Sequence, residues 1–176
     1  MRILLFLLDT VFFFLVAAAL LRAWMNHLRV PMQAQPGRFV MAITDWLVQP
    51  LRRLLPAAIA KGRIDGASLV AAVLLSLLHA LLWLLIASGG ELPWAAVPVL
   101  GLRFLVRDLL QGLMLLLIVY AILSWVQPHS PLMGLLDRLS SPIVAPVRRV
   151  VPLVGGVDLS VLVVIIALQV GLMLLG

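Results

Sequence analysis

Apolar runs alternate along the chain with shorter segments that collect its prolines and most of its arginines. Four runs, Ile3–Met25, Ala67–Ser88, Leu105–Val126 and Leu159–Leu175, approach or reach the roughly 20 residues a helix needs to cross a bilayer. Backbone groups in lipid must find partners within their own segment, so each run is expected to be helical. The last is the shortest, and its start extends as far as Asp158.

The segments between spans one and two and between spans three and four carry a second, shorter periodicity. In the first, Phe39, Ile43, Leu47 and Leu54 fall on one helical face and Arg38, Asp45, Gln49 and Arg52 on another. In the second, Leu132, Leu135, Leu136, Leu139 and Ile143 form the stripe, with Asp137, Arg138 and Ser141 opposite. Both segments predict helices half-sunk in the membrane interface. Pro50, and Pro142 with Pro146, are expected to kink or end them.

An early apolar run raises the alternative of a cleaved signal peptide, since Arg2 precedes it and Ala17, Ala18 and Ala19 end it. Asp9 interrupts that run. Asp108 and Trp125 recur around the third run much as Asp9 and Trp24 do around the first, which favours a retained span.

Composition agrees with a membrane chain. Of 176 residues, 64% are hydrophobic and 11% charged, where soluble domains have about 25% charged residues. Mean hydropathy is +1.21. The formal net charge of +6 does not point to nucleic acid, because the basic residues sit between apolar runs rather than among polar and aromatic ones. Arg29, Arg38, Arg52, Arg53, Lys61 and Arg63 fall in the first long loop and Arg138, Arg148 and Arg149 in the second, whereas Gly89–Phe104 holds only Arg103. That asymmetry places the long loops in the cytoplasm and both termini outside.

The most specific feature is an internal repeat. Pro50-Leu-Arg52-Arg53-Leu-Leu-Pro56 matches Pro146-Val-Arg148-Arg149-Val-Val-Pro152, and each unit precedes an aspartate, Asp65 or Asp158, at the start of the next span. The chain thus divides into residues 1–90 (span 3–25, loop 26–66, span 67–88) and 91–176 (span 105–126, loop 127–157, span 158–175). A copy with two spans enters the membrane from the side on which it leaves, so the repeats are parallel. The expected fold is all-α: four transmembrane helices as two hairpins, each with a cytoplasmic proline- and arginine-rich interfacial loop.

Several residues carry candidate chemistry. The arginine pairs suit anionic headgroups or an acidic partner, and equally suit a topology role with side chains reaching to the headgroups. Asp65 and Asp158 suit helix N-caps, or loop closures onto the upstream arginines. Within the spans His79, Gln111, Ser76 and Gln169 are the polar residues singled out, with no charged pair at mid-membrane expected. His79 offers a haem ligand, but no second histidine lies in a span, so an interhelical hydrogen bond is the simpler role. No cysteine is present, and no nucleophile with a base, metal-spaced cluster or phosphate-binding glycine loop is found. The expectation is a non-enzyme without metal or cofactor.

The chain resembles the YggT (YlmG-like) family of bacterial inner-membrane proteins with chloroplast relatives. The likeness rests on Leu21-Arg22-Ala23-Trp24-Met25, Tyr120-Ala-Ile-Leu-Ser124-Trp125, the two Pro-x-Arg-Arg-x-x-Pro units and Gly155-Gly156-Val157-Asp158-Leu159-Ser160. The first copy departs from the pattern: its spacing from Arg-Arg to Asp is three residues longer and Trp46 stands where a proline is usual, while the second keeps Pro142. The resemblance implies a multi-pass inner-membrane protein acting in osmotic or ionic stress tolerance, or in membrane-complex assembly, including haem attachment in chloroplast relatives. Contacts with anionic lipids, an unknown membrane-protein partner and self-association are compatible with it. An oligomeric channel for ions or osmolytes, and a haem-handling factor using His79, are the alternative expectations.

Overall fold

Strong apolar periodicity without β-branched or aromatic alternation leads to helices. In a computed structural model of the chain, residues 1–32, 35–56, 65–88, 93–151 and 159–175 are described, and among them are six helices and no strand. They are α1 (Arg2–His27), α2 (Gly37–Leu54), α3 (Gly66–Ala87), α4 (Ala96–Val126), α5 (Pro131–Arg148) and α6 (Leu159–Leu175). Three of them, α1, α3 and α4, are long and apolar enough to cross a membrane; α6 is apolar and has 17 residues.

Three helices, α1, α3 and α6, match the apolar runs closely, but α4 begins nine residues before Leu105. The cause is simple: Arg103 bounds the apolar run without breaking a helix, since arginine is a good helix former. Pro98 lies in its first turn, where its missing N–H costs nothing.

The chain separates into two compact units, Met1–Leu109 and Leu110–Gly176. In the first, Phe12, Val16 and Ala19 of α1, Val48 of α2, and Ala67, Ala71, Ala72 and Leu75 of α3 form one core. Its many alanines let the helices approach closely, as packing in lipid requires. Gly101 extends this on α4, since a Cβ there would stand 2.7 Å from Leu77 Cδ2 and 3.2 Å from Leu77 Cα. In the second unit the core joins Leu117 and Tyr120 of α4, Leu136 and Val144 of α5, and Val161 and Val164 of α6. Phe6, Phe14, Ile122, Ile166 and Met173 point outward, a surface suited to lipid rather than water.

The amphipathic helices form where periodicity places them, and each apolar stripe divides between the protein and the outside. In α2 the packed face is Gly37, Val40, Thr44 and Val48, with Leu47 and Leu51 against the core. Phe39 is 61% and Leu54 81% exposed, so two of the four expected stripe residues face outward with Trp46. The physical reason is that a helix in the interface has two apolar neighbours, protein and lipid, and hydropathy alone does not distinguish them. In α5, Leu136, Leu139, Ser140 and Val144 are buried, while Leu132 is exposed.

Prolines do not end these helices: Pro50 lies within α2, and Pro142 and Pro146 lie within α5. All three are on the exposed side, away from the packed face. Ser130 caps α5 by accepting from the Met133 N–H at 3.1 Å, one residue before Pro131 at N1.

Candidate functional site

Polar side chains gather where each interfacial helix meets its neighbours. In the first unit the centre is Asp65, the N-cap of α3, which is 4% exposed. Its Oδ1 accepts from the Ser68 N–H at 3.4 Å. Its Oδ2 accepts from Ser68 Oγ at 2.8 Å, from Asn26 Nδ2 of α1 at 2.7 Å, and from Arg52 Nη2 of α2 at 2.5 Å. One carboxylate thus joins three helices. Burial pushes its carboxyl up, but the bonds from Ser68, Arg52 and Asn26 outweigh this and hold it below its ordinary value of 3.8.

Arg22 completes the network. It sits in α1, 3% exposed, and its Nη1 donates to Thr44 Oγ1 and to Asp45 Oδ1 of α2, both at 2.7 Å. Its Nε lies 4.0 Å from Asp65 Oδ2. Two arginines therefore face two aspartates, and the network is formally neutral. Arg22 and Thr44 were not among the candidate residues; an arginine inside an apolar helix was the available signal.

The second unit ties α5 to α4 with different groups. The Tyr120 hydroxyl donates to Asp137 Oδ1 at 3.1 Å and accepts from Arg148 Nη2 at 2.8 Å. Pro152 and Asp158 lie outside the described residues, so the counterpart of the Asp65 cap does too.

These bonds split each arginine pair. All four are exposed, but Arg52 and Arg148 bond inward, whereas Arg53 and Arg149 have no partner among the described residues. Beside them stand exposed apolar groups, Leu54 next to Arg53 and Val150 next to Arg149. Pro56 follows α2 at the surface. A cation beside exposed apolar side chains at the end of an amphipathic helix matches the chemistry of a headgroup boundary.

Inside the apolar helices, two ionisable side chains meet. His79 Nε2 of α3 is 2.9 Å from Asp9 Oδ1 of α1. Its ring lies between Phe12 and Phe104, with centroids 4.9 and 4.2 Å away. Asp108 of α4 is also buried. Asp9 and Asp108 were visible in the sequence as acidic residues within or beside apolar runs. His79 Nε2 is held by Asp9, and Nδ1 has no hydrogen-bond partner among the described residues. Among the described residues no group of three or more His, Cys, Asp or Glu is placed to hold a metal ion. Gln111 is half-buried on α4, Gln169 is exposed on α6, and Ser76 bonds back to the Ala72 carbonyl.

Residues 1–86 and 99–176 match the CCB3/YggT family, so the match occurs twice in tandem. The chain is 36% identical over 173 residues to "Uncharacterized protein in proC 3'region" of Vibrio alginolyticus, covering 97% of this chain and 92% of that one. It is 34% identical over 171 residues to "Uncharacterized protein YggT" of Escherichia coli strain K12, covering 97% and 87% respectively. An uncharacterized protein of Pseudomonas aeruginosa is 31% identical over 173 residues, covering 93% and 83%. No solved structure matches the chain. The chain belongs to the CCB3/YggT family.

Proposed function

We propose that this CCB3/YggT family member is a non-enzymatic, four-span protein of the bacterial inner membrane that organises its surroundings through two cytoplasmic edges binding anionic headgroups. In this reading each repeat is a hairpin of two spans with its amphipathic helix in the cytoplasmic interface, both termini lie outside, and the role is membrane-complex assembly or tolerance of osmotic and ionic stress. The observation that carries it is the division of labour within each arginine pair. All four arginines reach the surface, but Arg52 and Arg148 bond inward, while Arg53 and Arg149 stand beside exposed apolar side chains with no hydrogen-bond or ion-pair partner among the described residues. A topology signal alone does not require that arrangement; a headgroup-binding edge does. Arginine suits the task because its planar fork meets a phosphate with two parallel bonds.

The test is native mass spectrometry of the full chain released from membranes, comparing wild type with Arg53→Gln/Arg149→Gln and with Arg52→Gln/Arg148→Gln. The outer pair is expected to lose bound anionic lipid while keeping wild-type melting. The inner pair is expected to melt earlier. Unchanged anionic lipid on the outer-pair variant would overturn the reading.

A further inference from the structure

From Leu159 to Leu175, α6 carries no ionisable residue; its polar side chains are Ser160, in the first turn, and Gln169. At about 1.5 Å per residue, Gln169 lies about 15 Å from the start of the helix and about 9 Å from its end, with apolar turns on both sides. The packed face of α6 carries Ser160, Val161 and Val164, and Gly171, against Leu110 of α4, continues it. Gln169 is turned away from that face, exposed, and makes no hydrogen bond among the described residues. A primary amide has two N–H donors and a carbonyl acceptor. Surrounded by hydrocarbon it has no water to bond, and a polar partner helix removes that cost.

The exposed side chains around the amide are spaced for such a helix. Leu162, Ile166, Gln169 and Met173 are all exposed and follow one another at intervals of four, three and four residues. That is the spacing of a coiled-coil seam, in which one polar amide among apolar side chains fixes the register.

The chemistry of the seam selects its occupant. An amide donates and accepts at once, so two facing copies bond each other reciprocally. Copies of one chain enter the membrane in one orientation, so two α6 helices meet parallel and in register, with Gln169 opposite Gln169 across a twofold axis. No charge on α6 opposes their approach. The amide of Gln111 on α4 is half-buried, is not bonded to Gln169, and has the exposed Arg107 one turn before it. Pairing two α4 helices there would bring two guanidinium groups to the axis, where they repel.

We propose that α6 is the contact helix of a homodimer, with Leu162, Ile166, Gln169 and Met173 as its seam and a reciprocal Gln169–Gln169 hydrogen bond at its centre. Dimerisation of this kind holds only with α6 as the fourth span, and it does not depend on what Arg53 and Arg149 bind.

The chain has no cysteine, so single cysteines report the contact directly. Full-length Ile166→Cys and Met173→Cys in native membranes are expected to form disulfide-linked dimers under mild oxidation, while Val164→Cys, on the packed face, stays monomeric. Crosslinked products of another mass, without the dimer, would mean a different protein on the seam and overturn homodimerisation. In liposomes of the purified chain, energy transfer between copies labelled at one terminus measures self-association. It should weaken about tenfold in Gln169→Leu, the loss of two interhelical hydrogen bonds, and recover in Gln169→Asn. Gln111→Leu and Arg53→Gln/Arg149→Gln should associate as wild type. Unchanged association in Gln169→Leu, or an equal loss in Gln111→Leu, would overturn the proposal. A water-soluble maleimide separates this failure from that of the four-span reading. Fast labelling of Ile166→Cys would put α6 outside the lipid and sink both, whereas slow labelling without crosslinks sinks the dimer alone.

Discussion

Arg52 and Asp65, thirteen positions apart, form an ion pair at 2.5 Å in which the carboxylate is buried and the guanidinium is 39% exposed. The bond anchors the last turn of the amphipathic helix to the first turn of the next span. Arg52→Gln removes the cation but leaves Asn26 and Ser68 on Asp65, and the partial exposure of Arg52 limits the loss. The expected cost is about 1–2 kcal/mol. Thermal unfolding in detergent checks it, with Arg53→Gln as the control expected to melt as wild type. Equal melting of both variants would sink this account of the pair.

Acid should act through the same carboxylate. Asp65 titrates lower in the folded chain than its ordinary value of 3.8, so its ionised form is favoured by folding. Its contribution is whole above about pH 4 and fades as pH falls through the lower folded value. Comparing unfolding of wild type and Asp65→Asn from neutral to strongly acidic pH should show a gap that is widest at neutral pH and closes in acid. A gap independent of pH would mean that the ionised form is not what holds the network.

Two glycines should respond in opposite ways. A Cβ at Gly101 meets Leu77, whereas at Gly134 nothing stands within 4 Å. Gly101→Val should therefore destabilise the first unit by about 1–3 kcal/mol through overpacking. Gly134→Ala, inside α5, should stabilise by about 0.5–1 kcal/mol through helix propensity. Melting curves of the two variants decide this, and a harmless Gly101→Val would show that α3 and α4 separate at no cost.

Most of the helical plan was legible in the sequence, because long apolar runs and helical stripes are local signals. Arg103 illustrates where legibility ended: the apolar run was taken to start after it, and the helix starts before it. The candidate site was legible as residue types and not as partners. Asp65 was recognisable as a cap from its position before α3, yet the choice of Arg52 over Arg53 depends on which side of one helical turn faces the protein. Phe39, Ile43, Leu47 and Leu54 were legible as one apolar face, but not which of them meets protein and which lies outward, because an apolar side chain meets lipid and protein on equal terms. The His79–Asp9 bond joins α3 to α1, with Phe104 of α4 on the ring; the residues were visible in the sequence and the pairing was not.

Trp46 offers a direct check of where α2 lies. It is 61% exposed, on the side of the helix away from the core. With the other four tryptophans replaced by Phe, its emission should be blue-shifted in vesicles and quenched by lipids brominated near the headgroup end of the acyl chain. Emission at the wavelength of tryptophan in water, without quenching, would place α2 outside the membrane and weaken the headgroup reading.

Arg22 also matters for how the protein is made. Its partners Thr44 and Asp45 follow it by a whole connecting segment, so α1 leaves the ribosome carrying a cation whose acceptors do not yet exist. While the chain is being inserted, that guanidinium can only reach toward the lipid phosphates near the end of α1. Once α2 is complete, the protein's own hydroxyl and carboxylate replace them. The same charge is therefore unpaired within the protein until α2 exists and glue afterwards, and a nascent chain stopped before Thr44 lacks both of these acceptors.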